Sequence, residues 1–164
     1  MDLTKFEKFD QECAEKLAGE IGKILEASKE QKIHAIGFIT VDDFYGFYLS
    51  WDYENNNVYE NYDWNEALYP EFLYQPLVDV VDACKEIDFT VASDEKWGFA
   101  EELLTVLEKN IKQIPDEIFH KNAYRREDIL FFATMADGDY MQEMLDASIK
   151  MFNSSETIEA YGPK

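Results

Sequence analysis

The sequence predicts a single α+β domain in which a small antiparallel sheet of three to five strands is packed by a long N-terminal helix and by later helices. Three observations lead there. A chain of 164 residues suits one core, because about two-thirds of the unfolded surface can be buried at that size. Apolar residues make up 46% of it and aromatics 15%, too many for a disordered chain. The periodicities run helix, two or three strands, two helices, strand, helix, without the sustained strand–helix alternation of a doubly wound parallel sheet.

Leu3, Phe6, Phe9, Cys13, Leu17, Ile21, Ile24 and Leu25 recur at steps of three and four and draw one apolar stripe along a helix from about residue 3 to 28. KIHAIGFITV, 32 to 41, is β-branched and short, and it stops at Asp42-Asp43; it reads as a central strand holding His34. From Phe44 the odd positions Tyr45, Phe47, Leu49, Trp51 and Tyr53 alternate with mostly small or polar residues, which predicts a second strand joined to the first by a tight hairpin. Asn55 to Asn57 is a turn by composition, and Val58 to Tyr62 is expected to return as a third, edge strand.

Beyond Trp64 the pattern is helical again. A short turn is expected at 70 to 75, then a helix through Leu77, Val80, Val81, Cys84 and Ile87, with Pro70 and Pro76 at first-turn positions. Ser93 or Asp94 caps a helix whose Trp97, Ala100, Leu104, Leu107, Ile111 and Ile114 face inward until Pro115 ends it. Residues 116 to 127 form a short helix or loop carrying Lys121, Arg125 and Arg126, and ILFFATM at 129 to 135 is a strand. Asp137-Gly138-Asp139 turns into a last amphipathic helix through Met141, Met144, Leu145, Ile149 and Phe152. The domain is thus expected over 1–153, with a frayed tail over 154–164.

Two cysteines, Cys13 and Cys84, fall at apolar helical positions and are expected to be buried and reduced, which favours the cytoplasm. The acidic N-terminus is not expected to act as a signal peptide, and no stretch approaches the ~20 apolar residues of a membrane span. Catalysis finds little material. His34 and His120 stand alone, no Gly-rich phosphate loop occurs, and neither Cys nor His recurs at ligand spacing, so no catalytic residue, metal or cofactor is expected. Asp137-Gly138-Asp139 starts like a calcium loop, but the twelfth position is Ser148 instead of Glu, and helix capping by Asp137 or Asp139 is the expectation. Paired carboxylates leave a hydrolase open only because acids are so many.

The charge is more informative. Thirty-five acids against 15 bases give −20, a field that repels nucleic acid and anionic membrane and speeds encounter with cationic partners. Between Lys32 and Lys85 there is no Lys or Arg, yet Asp42, Asp43, Asp52, Glu54, Glu60, Asp63, Glu66, Glu71, Asp79 and Asp82 lie there. Within that window WDYENNNVYENYDWNEALYP, 51 to 70, interleaves aromatics with carboxylates. Tyr and Trp give stiff, amphipathic contact area at low entropic cost, and acids around them can meet Lys or Arg. The candidate partner-binding set is Asp42, Asp43, Trp51, Asp52, Tyr53, Glu54, Tyr59, Glu60, Tyr62, Asp63, Trp64 and Glu66. For each aromatic alone, filling the core is the competing role.

IGFITVDDFYGFYLSW, EKWGFAEELLTVLEKN and FFATMADGDYMQEMLDASIKMFN resemble the bacterial domain-of-unknown-function family numbered 4303 and, more loosely, other small acidic immunity proteins of polymorphic toxin systems. The resemblance spans roughly residues 33 to 153. It implies a cytoplasmic antitoxin that binds and blocks the toxic domain of an effector, commonly a nuclease, and it carries over no catalytic residue. The partner expected is therefore a cognate toxin with a basic surface, met by a monomer or weak homodimer. A general interaction module that dimerises through a strand edge is the alternative.

Overall fold

The computed structural model describes residues 1–51, 53 and 66–163. A 3₁₀ turn, Thr4–Phe6, leads into α1, Glu7–Ala27. Strands β1 (Ala35–Thr40), β2 (Tyr48–Trp51) and β3 (Glu66–Leu68) follow, and then a 3₁₀ turn, Glu71–Leu73, and α2 (Gln75–Ala83). The remainder is α3 (Asp94–Lys112), α4 (Asp116–His120), β4 (Leu130–Met135), α5 (Met141–Phe152) and α6 (Ser155–Tyr161). The α+β class and the long N-terminal helix match the sequence expectation.

The sheet order is β3-β2-β1-β4. β1 and β2 pair antiparallel with Phe38 opposite Leu49, and β2 and β3 antiparallel with Leu49 opposite Leu68. β4, however, joins β1 in parallel, Phe38 opposite Ala133, so the sheet is mixed instead of wholly antiparallel. The long helical connection between β1 and β4 permits a parallel pairing that no hairpin could make. One face carries Ile36, Phe38, Leu49, Trp51, Phe131, Ala133 and Met135 into the main core, which α1 completes with Phe9, Cys13, Leu17 and Ile21 and α3 with Phe99, Leu103 and Leu107. On the other face Ala35, Ile39, Leu130 and Phe132 pack against Leu145 and Ile149 of α5, with Ile158 and Tyr161 of α6 at the margin. Phe132 lies over Gly37, where an added Cβ would stand 2.6 Å from the ring, so this glycine makes room for the aromatic on the neighbouring strand.

α5 runs beside β4 and closes its outer edge with side chains. Asn153 accepts from the Phe131 N–H at 2.8 Å and donates to the Phe131 carbonyl at 2.7 Å, and Ser148 does the same for Ala133 at 2.8 and 3.1 Å. Two polar side chains thereby stand in for a fifth strand and satisfy the edge groups that otherwise invite pairing with another chain.

Several local expectations give way. The second strand begins only at Tyr48, because Phe44 leaves the alternating pattern and inserts fully buried between Phe89 and Phe99 with φ +60°. Residues 41–47 therefore form a fastened loop in place of a tight hairpin. The third strand is Glu66–Leu68, while the expected one at 58 to 62 lies outside the described residues. His34 precedes β1 and stacks on Tyr161, ring centroids 4.6 Å apart. The expected frayed tail is instead α6: Ser154 caps it by accepting from the Thr157 N–H, and Thr157 is buried with its hydroxyl on the Glu127 carbonyl. Neither Asp137 nor Asp139 caps α5, whose N-cap is Tyr140 without a side-chain bond. The backbone N–H of Asp139 points to Asp42, which binds this turn to the loop after β1. Cys13 and Cys84 are buried and free as expected, and burial pushes both thiols up.

Candidate functional site

The residues singled out in the sequence separate once placed. Trp51 is 4% exposed and belongs to the main core beside Ile36 and Phe38, so it cannot anchor a partner. The pleat explains this: Trp51 pairs with Ile36 on the face turned to α1 and α3. Tyr53 is half-buried and packs on the same core. Asp43 turns the chain by accepting from the Tyr45 N–H at 3.1 Å. Glu66 is exposed at the start of β3. Asp52, Glu54, Tyr59, Glu60, Tyr62, Asp63 and Trp64 lie outside the described residues.

Asp42 has a different task from the one expected. It accepts from the Lys96 ammonium at 2.8 Å, and Asp139 stands 3.8 Å from the same nitrogen. The Lys96 side chain is wholly inaccessible, whereas the two carboxylates are 39% and 46% exposed. This lysine, in the first turn of α3, clamps the loop after β1 to the turn before α5. Gly138 completes the contact: φ is +121°, and a Cβ there would meet the Asp42 carboxylate at 2.4 Å.

Next to this clamped loop, which carries Tyr45, stand Tyr48 of β2 and Tyr69 and Tyr74 beyond β3. A groove of about 330 Å³ opens where β1 leaves the sheet, β2 enters it and β3 leaves it. It is lined by Ile39, Thr40, Gly46 and Phe47 and by the tyrosines Tyr45, Tyr48, Tyr69 and Tyr74. Tyr48 and Tyr69 stack with centroids 5.3 Å apart and planes 29° off parallel. Tyr69 is 77% and Tyr74 48% exposed, among the most exposed large apolar side chains described. The lining is held in place. Phe47 N–H donates to the Leu73 carbonyl at 2.8 Å, and the Thr40 hydroxyl donates to the Gly46 carbonyl at 2.7 Å. Gly46, at φ +89°, lies so close to Tyr74 that a Cβ would come within 2.8 Å of its Cα. The Tyr45 hydroxyl donates to Asp82 of α2, and that bond, followed by partial burial, holds the phenol above its ordinary pKa.

Glu71 lines the groove, with Asp43 and Asp82 bonded to the Tyr45 backbone and hydroxyl. Among the described residues none of Asp43, Glu66, Glu71, Asp79 and Asp82 is ion-paired. Most of the acidic, aromatic surface expected around 51 to 66 lies outside the described residues, and the described groove is built from other residues, Tyr45, Tyr48, Tyr69, Tyr74 and Glu71. Those residues occupy the same cation-free window, and the signal that would have found them is the pair of tyrosines flanking Pro70 in LYPEFLY.

Among the described residues no three of His, Cys, Asp and Glu stand together as metal ligands, and no helix is long and apolar enough to cross a membrane. The basic segment is occupied structurally: Arg126 donates to Asp116 and to the Ile111 and Ile114 carbonyls, closing the C-terminus of α3, and its guanidinium holds the Asp116 carboxyl below the usual range. A cavity of about 300 Å³ next to it is lined by Phe131, Phe152 and Thr157 together with Lys112, Arg126, Glu127 and Ser154. No family model, curated protein or solved structure matches the chain.

Proposed function

We propose that this protein is an immunity-type inhibitor: a non-catalytic, cytoplasmic antitoxin that binds a cognate toxin domain of basic surface, such as a nuclease, through the tyrosine groove and the acids around it. The observation that carries the proposal is the coincidence, on one face, of exposed stiff aromatics with carboxylates that form no ion pair among the described residues. A nuclease must attract phosphate and so presents positive charge; an inhibitor of net charge −20 meets it at a steered rate and repels the nucleic acid that competes for the same cleft. Tyrosines then supply slow dissociation, since flat amphipathic rings bury area with little entropy to lose. A contact of about 800 Å² per partner is enough for a stable complex of this kind.

The test is co-expression. The toxin encoded beside this chain, expressed alone, should arrest growth, and the wild-type protein should restore it. A neighbouring protein that is harmless, or a toxic one whose effect is unchanged by this chain, would contradict the proposal.

A further inference from the structure

We propose that the groove between Tyr48, Tyr69 and Tyr74 is the seat of a single arginine side chain from the basic partner. The inference rests on this face being the docking surface for a basic protein. A seat of this kind needs an apolar channel for a methylene stem, flat π-faces for a planar cation and unpaired carboxylates near its end. Ile39, Phe47 and Pro70 line the groove with the stacked Tyr48–Tyr69 pair and Tyr74, and Glu71 stands in the same lining. The volume of about 330 Å³ is at the lower end for small-ligand sites and suits one long side chain better than a folded element. Among the described residues no Lys or Arg contributes to the lining.

Arginine is favoured over lysine by the flat rings, because guanidinium stacks on an aromatic face while keeping its in-plane donors for a carboxylate; a compact, strongly hydrated ammonium does neither as well. A second copy of this chain is a poor occupant. It would bring another −20, and its two arginines are already engaged, Arg125 with Asp128 and Glu156, Arg126 with Asp116 and the end of α3. The seat is also preformed, since Gly46 under Tyr74, the Phe47–Leu73 bond and the Tyr45–Asp82 bond fasten the loop before any ligand arrives.

The experiment is a backbone-amide NMR titration of the full-length protein with the capped tripeptide Gly-Arg-Gly and with its lysine and citrulline counterparts. The arginine peptide should shift the amides of Gly46, Phe47, Tyr69 and Tyr74. Neutral citrulline, nearly the same shape, should bind about tenfold more weakly or worse, and Tyr69→Ala, at an exposed site, should weaken the arginine peptide several-fold with the spectrum otherwise preserved. Shifts that avoid the groove, equal binding of citrulline, or indifference to Tyr69→Ala would each overturn the proposal, as would a concentration-dependent dimer that buries the same amides. The outcome is separable from immunity. Peptide binding without growth rescue leaves the seat standing and removes the antitoxin role, whereas full toxin affinity in the Tyr69→Ala, Tyr74→Ala double variant removes the seat alone.

Discussion

Lys96 and Asp42 form an asymmetric pair, and the asymmetry predicts unequal costs for deleting either end. The ammonium is wholly inaccessible, but Asp42 is 39% exposed. Asp42→Asn preserves shape and an acceptor oxygen while leaving a buried cation whose nearest anion, Asp139, is 3.8 Å away. Breaking a buried pair from one side costs about 3–5 kcal/mol, and the retained acceptor places this variant near the lower figure, about 3 kcal/mol. Lys96→Met instead removes the group that burial penalises, keeps the apolar stem, and leaves a carboxylate that water already reaches, for a cost of about 1 kcal/mol. With a urea m-value of about 2 kcal/mol/M, the midpoints should fall by about 1.5 M and about 0.5 M respectively. Urea unfolding followed by far-UV circular dichroism reads both. Equal losses, or a larger loss for Lys96→Met, would refute the reasoning that the lysine and not the aspartate is the desolvated partner.

Other outcomes follow from the same geometry. Gly46→Ala should cost about 2–3 kcal/mol, or about 5–10 °C in Tm, through positive φ and collision with Tyr74; Gly19→Ala in α1, with nothing within 4 Å, should stabilise by up to about 1 kcal/mol, and an equal response of the two would contradict this. Asn153→Ala leaves the Phe131 N–H and carbonyl without their partner and should cost about 2 kcal/mol, with faster hydrogen exchange at the Phe131 amide as the specific readout; unchanged exchange would count against the side-chain edge cap. The Tyr45 phenol is held above its ordinary pKa by Asp82, so the stability it contributes is complete below about pH 10 and lost as pH rises through the raised value. Asp82→Asn should return that titration toward the ordinary phenol range, as followed by ring-carbon NMR; a Tyr45 titration identical to wild type would show that Asp82 is not the cause.

The sequence was most legible where periodicity and burial agree. The stripe of α1, the Ser93 cap of α3 and the apolar run of β4 appear as the spacing implies, because each element buries a full apolar face. It was least legible where one side chain overrides its local pattern. Phe44 breaks the alternation of 44 to 53 by entering the core, which converts the first half of a predicted strand into the loop that builds the groove. Trp51 illustrates the limit of composition: an aromatic between acids is equally suited to an interface and to a core, and only pairing with Ile36 decides for the core. The parallel seating of β4 and the Asn153 and Ser148 edge cap are long-range choices with no short-range signal. The charge asymmetry was legible in full, since the absence of Lys and Arg between 32 and 85 is a property of the sequence itself. Which rings of that window are exposed was not legible: Trp51 is buried while Tyr69 and Tyr74 are exposed, because exposure cannot be read from residue type.

The central claim is that the cation-free tyrosine face docks a basic protein. It is tested most directly by the affinity of the toxin domain for wild type and for a Glu66→Lys, Glu71→Lys variant across a range of salt concentrations. Both side chains are exposed and neither is ion-paired among the described residues. The prediction is a weaker complex for the variant, formed more slowly and with a shallower dependence of log Kd on log salt. Equal affinity and an equal salt slope in the two proteins would contradict it.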